Sequence, residues 1–114
     1  MLVEAAWLRQ GMHVTAVGSD SPGKHELDAK CLDIADLIVV DRYGQCAVFG
    51  ELKHALDAGL LTRHDVYAEL GEIVAGKKTV RLSDAQITIA DLTGVGFQDT
   101  AIAAAAFESL IPRL

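Results

Sequence analysis

Basic residues are scarce in this sequence and they are scattered. Ten Lys and Arg stand against 16 Asp and Glu, a formal charge of −6. Nonspecific nucleic-acid binding runs on Lys and Arg contacts to phosphate. Here only Lys77 and Lys78 are adjacent, with Arg81 nearby and no aromatic residue interleaved, so nucleic acid is not an expected partner. Long apolar runs are missing too. No stretch reaches the roughly 20 residues that span a bilayer, and the longest, near the C-terminus, is mostly alanine and is broken by Glu108. The opening Met1-Leu2-Val3-Glu4 lacks the basic start and long apolar core of a signal peptide, so no membrane association and a cytoplasmic location are expected. There are two cysteines, Cys31 and Cys46, not spaced as a metal-ligand pair, and they read as free thiols in a reducing compartment. Of the four histidines, His13, His25, His54 and His64, none falls into H-x-x-H or H-E-x-x-H spacing, so no metal site is expected. Three phosphate or nucleophile motifs are also lacking: G-x-G-x-x-G after a strand, G-x-x-x-x-G-K-[ST] and G-x-S-x-G.

What is present is a globular balance. The 114 residues are 51% hydrophobic and 23% charged, a length that fits one domain burying roughly two-thirds of its unfolded surface. Residues 7–11 read as a helix end or loop stopped by Gly11, and residues 13–17 as a short β-rich run closed by Gly18. A dense cluster of turn formers follows at 19–24. Leu27, Cys31 and Ile34 recur at helical spacing and predict a helix over 27–35. Residues 37–40 are a continuous apolar run of strand length. Such a strand suits a parallel sheet covered by helices. Residues 45–58 predict a helix with Val48, Leu52, Ala55 and Leu56 on one face, and Gly59 lies where a C-cap glycine belongs. Residues 65–76 read as a short strand turn and a short helix. Residues 87–90 predict a third strand, and Asp99 and Thr100 open an alanine-rich helix to about Leu110, with Pro112 just beyond.

Strands alternating with helices imply right-handed crossovers and a parallel sheet. Ligands on such sheets bind beyond the carboxyl ends of the strands, and two glycine-bearing loops, 18–24 and 92–96, follow strands and belong on that rim. In the first, Gly18 would let the backbone approach a ligand, Asp20 would stand where a carboxylate can take or give a proton, and Lys24 could neutralise a phosphate or carboxylate. The competing reading is a surface turn in which Asp20 and Ser21 bond their own backbone. In the second, backbone N–H groups could meet a ligand near the last helix, or Asp99 simply caps that helix. Glu69 and Glu72 flank Gly71. They read either as a general acid/base pair or as a solvated helix face or cap.

Four segments together resemble the ornithine cyclodeaminase/mu-crystallin family, which includes archaeal-type alanine dehydrogenases and imine or ketimine reductases. They are residues 7–28, with the run Val17-Gly18-Ser19-Asp20-Ser21-Pro22-Gly23-Lys24; residues 36–41; residues 66–76; and residues 83–99, with Asp91-Leu92-Thr93-Gly94. The resemblance implies an α/β fold: a partial Rossmann-like three-layer arrangement with a small, mainly parallel sheet of about three strands flanked by helices. It also implies site roles. Asp20 matches the family's proton-transferring acid/base. Val17, Gly18, Ser19 and Asp20 match residues lining the nicotinamide end of NAD or NADP, Lys24 and Leu92 match cofactor-contacting positions, and Thr93 matches a position near the substrate. Leu92 stands where serine is common, so a side-chain hydrogen bond is lost there.

Family members are longer. Their N-terminal part holds the substrate carboxylate, and the first half of their nucleotide-binding domain carries the phosphate loop. The resemblance therefore implies the second half of the Rossmann-like domain, as a truncated gene product or free-standing half-domain derived from an NAD-dependent enzyme of amino-acid or imine chemistry. Half a parallel sheet exposes a strand edge, and exposed edges invite pairing. A homo-oligomer formed through that edge, a noncatalytic interaction module, or a half-domain complementing a separate chain are the expectations.

Overall fold

The computed structural model describes residues 1–94 and 96–111. Its centre is one four-stranded sheet, all parallel, in the order β1-β4-β2-β3. The strands are β1 (His13–Ala16), β2 (Leu37–Val40), β3 (Ala68–Glu69) and β4 (Thr88–Asp91). The parallel sheet and its helices agree with the expected class. The sheet has four strands where about three were expected; the shortest, β3, has two residues and falls in the segment read as a strand turn. The last strand lies in the middle. Asp91 is flanked by Ala16 of β1 and by Val40 of β2. β1 forms one edge and, among the described strands, pairs with β4 alone.

Three helices cover one face: α1 (Ala29–Ile34), α2 (Tyr43–Phe49) and α3 (Glu51–Asp57). Their Cys31, Leu32, Cys46, Leu52 and Ala55 pack on Ala16, Ile38, Val40 and Ile89 of the sheet. Leu32, Ile38, Leu52 and Ile89 are essentially inaccessible to solvent, each stabilising the fold by about 1.5–3 kcal/mol. Asp28 caps α1 by accepting the Lys30 N–H at 3.1 Å. Both cysteines are buried, free thiols.

The single helix predicted over 45–58 is two helices broken at Gly50. The cause lies elsewhere in the chain. The Asp91 carboxylate takes the Leu52 N–H at 2.9 Å, and a Cβ on Gly50 would stand 2.4 Å from its Oδ2. α3 closes as expected at Gly59, which has φ +71°, with Gly59 N–H donating to Leu56 and Leu60 N–H to Ala55.

The other sheet face is only partly covered. His13, Leu37, Val39, Tyr67, Val80 and Arg81 line a cavity of about 250 Å³ there. A short α4 (Leu70–Val74) follows β3 directly, and α5 (Gly96–Leu110) ends the described chain. α5 begins before the predicted Asp99, which falls in its first turn, where a carboxylate complements the helix dipole. Residues 99–111 are exposed, Ile102 and Phe107 among them. No helix of the described residues is long and apolar enough to cross a membrane.

Candidate functional site at the carboxyl rim

Because all four strands run the same way, their carboxyl ends open on one rim. The loops after β1 and β4 leave it side by side, tied by the Leu92 N–H donating to the Ala16 carbonyl at 2.8 Å. The seven candidate residues therefore lie on two neighbouring loops. They do not all face the same way.

Asp20 and Lys24 are on the surface and form an ion pair of 2.7 Å, each side chain about half exposed. The Lys24 hydrogen bond and charge hold the Asp20 carboxyl below its ordinary range, and Asp20 in turn raises the Lys24 amine. Val17 is exposed and Leu92 half-buried, so both offer apolar surface at the rim. At Gly18 the space of a missing side chain is filled from within: a Cβ would lie 1.8 Å from Glu26 Oε1. Ser19 is buried, its hydroxyl 2.7 Å from the Lys24 carbonyl and 3.0 Å from that of Phe49. Thr93 is also buried, its hydroxyl donating to Asp41 at 3.2 Å. Ser19 and Thr93 thus spend their side chains holding loops.

Beneath these loops lie three carboxylates that the sequence does not single out as functional. Asp41 ends β2. Its Oδ2 accepts the Thr93 and Gly94 N–H groups, each at 2.8 Å, and its Oδ1 accepts the Arg42 N–H at 2.8 Å and the Cys46 thiol at 3.0 Å. Burial alone would raise this carboxyl, but the thiol and backbone bonds outweigh it and hold it low. Glu51 accepts the N–H groups of Glu26 and Leu27 at 2.8 and 3.2 Å, pinning the β1 loop to α3. Asp91 is fully buried, with Oδ1 lacking a partner. Burial, the opposed N–H groups of Leu52 and Glu51, and the charges of Glu51 and Asp41 leave its carboxyl pushed up to about 6. The signal for Asp41 and Asp91 is an acid directly after an apolar strand run. A carboxylate there can collect N–H groups from neighbouring loops, as buried polar groups must.

Glu69 and Glu72 do not form an acid/base pair. Glu69 and Glu72 make a capping box at the start of α4. Glu72 accepts the Glu69 N–H at 3.0 Å, and Glu69 also accepts the Tyr43 N–H at 2.8 Å. Beside them, Asp41, Arg42, Gly71 and Lys77 line an open cavity of about 280 Å³.

Set against a nicotinamide dinucleotide, these residues fit one end of the molecule. Val17 and Leu92 offer apolar surface for a flat ring and Lys24 a cation, whereas the sequence has no glycine-rich pyrophosphate loop. A small parallel sheet with helices packed on it, opening loops at one rim, is a Rossmann-like arrangement. The comparisons are specific. Residues 1–112 match the model of the ornithine cyclodeaminase/mu-crystallin family, and the chain belongs to that family. It is 51% identical over 107 residues, 94% of its length, to an uncharacterised cyclodeaminase of Sinorhizobium fredii, of which it covers 32%. Among solved structures, an archaeal alanine dehydrogenase dimer with bound NAD superposes with a TM-score of 0.87 at 42% identity, over 96% of this chain and 34% of that one. The iminosuccinate reductase of Paracoccus denitrificans in complex with NAD+ gives 0.87 at 38% identity, over 98% and 34%. The chain spans about a third of the length of the relatives it matches.

Proposed function

We propose that this chain supplies the nicotinamide-facing wall of an NAD-dependent enzyme acting on amino acids or imines, with Asp20 as its acid/base. The observation that carries the reading is the placement of Asp20 at the open end of β1, ionised and held by Lys24, beside the Leu92 loop of β4. Val17, Gly18, Ser19, Lys24 and Leu92 border the cofactor, and the Thr93 backbone borders the substrate. The cofactor supplies a hydride acceptor when bound. Conversion of an α-ammonium group to an iminium releases one hydride from carbon and one proton from nitrogen. Asp20, as a carboxylate, takes that proton; Lys24 holds it ionised and in place beforehand, and that pairing loosens as the proton arrives. In the reverse direction the protonated Asp20 returns it. Pyrophosphate and substrate carboxylate need groups outside the described site. The edge of β1, paired with β4 alone among the described strands, is where a second copy of the chain or a complementary chain can join.

Calorimetric titration of the full chain with NAD+ and with NADH tests this, together with the thermal midpoint. Binding heat and protection from unfolding are expected, with Asp20→Asn retaining binding and losing turnover in any assembly that turns over. No heat and no protection would leave a noncatalytic interaction module as the reading. Sedimentation of the same samples reports on the edge: a clean monomer at high concentration argues against self-pairing there.

A further inference from the structure

Resting on that reading, we infer that Asp41 is the positioning residue of the rim, fixing the backbone at 93–94 and with it the stance of Leu92 and Thr93 at the end of β4. Its two oxygens meet only donors. Oδ2 receives the N–H groups of Thr93 and Gly94, and Oδ1 receives the Arg42 N–H, the Cys46 thiol and, at 3.2 Å, the Thr93 hydroxyl. No orientation of an amide satisfies this set, because its NH2 would face N–H or S–H groups whichever way it turned. Only an ionised carboxylate does, and charge-assisted bonds of this kind are about twice as strong as neutral ones. The geometry is local to the loop. Gly94 has φ +85°, a conformation that side-chain-bearing residues rarely adopt. Two adjacent N–H groups converge on one oxygen across 52 and 53 positions of sequence. Asp41 itself is 5% exposed, its oxygens are taken up by these donors, and it acts through the loop it holds.

Amide hydrogen exchange on the labelled full chain is the test. In the wild type, Thr93 and Gly94 should be protected although they lie in a loop. In Asp41→Asn their exchange should quicken at least tenfold, while the Cys31 amide, bonded to Asp28 in the core, keeps its rate. A parallel NAD+ titration, at a temperature where the variant is folded, should weaken at least tenfold. Unprotected wild-type Thr93 and Gly94, unchanged exchange in the variant, or equal acceleration at Cys31 would each overturn the inference. The wild-type measurement decides even if the variant does not fold. Exchange is read without cofactor, so failure of the wild type to bind NAD+ would count against the proposed function and leave the role of Asp41 standing on its own result.

Discussion

Asp91 is a charge in a place that disfavours it, and the cost can be worked out. The residue ends the central strand with no solvent contact, one oxygen on the Leu52 N–H and the other unpartnered. Burial, with the carboxylates of Glu51 and Asp41 nearby, takes its carboxyl from 3.8 to about 6, against the pull of two backbone N–H groups. Between those values the native state holds a proton that the unfolded chain has released, so stability falls as pH rises through the window. Above about pH 6 the full penalty applies, about 3 kcal/mol at about 1.36 kcal/mol per pH unit. This carboxyl should therefore make the protein about 1 kcal/mol more stable at about pH 5 than at about pH 7. Asp20 and Asp41 titrate the other way. Their carboxyls are held below 3.8 and withdraw stability only as the pH falls below that value. The assay is urea unfolding by circular dichroism at both pH values, for wild type and Asp91→Asn. The variant should lose this component of the pH slope. Identical slopes in the two proteins would refute the argument.

Two further outcomes follow from the same region. Gly50→Ala would put a methyl 2.4 Å from the Asp91 carboxylate; overpacking of this kind costs about 1–3 kcal/mol, measurable as a lower urea midpoint, and combining it with Asp91→Ala should recover part of the loss. Cys46 is buried and its thiol is pushed up by burial, by its bond to Asp41 and by the charges of Asp91 and Asp41, so a thiol reagent should label it only on unfolding.

Much of the fold was legible because its strands are ordered by local pattern. The apolar run at 37–40 is β2 to the residue, and β1 and β4 fall within one residue of prediction. β3 was not countable as a strand, since two residues carry no periodicity. The break at Gly50 was hidden for a different reason: the residues around it are helix formers, and the group that interrupts them, Asp91, lies 39 positions from the Leu52 amide it captures. The rim loops were legible as a pair because parallel strands send their carboxyl ends one way. The carboxylates underneath were not, because Asp41, Glu51 and Asp91 bond chiefly backbone N–H groups, which leave no mark in a sequence.

The strand order has a consequence for how the molecule is made. Of the described strands β4 is the last to leave the ribosome, yet it stands between β1 and β2. Until residue 91 has emerged, the nascent polypeptide can join β2 to β3 but has nothing to bridge them to β1, and Asp91 is not yet there to seat the start of α3. The core therefore closes only once β4 is out, and until then β1 lacks the one partner it has among the described strands.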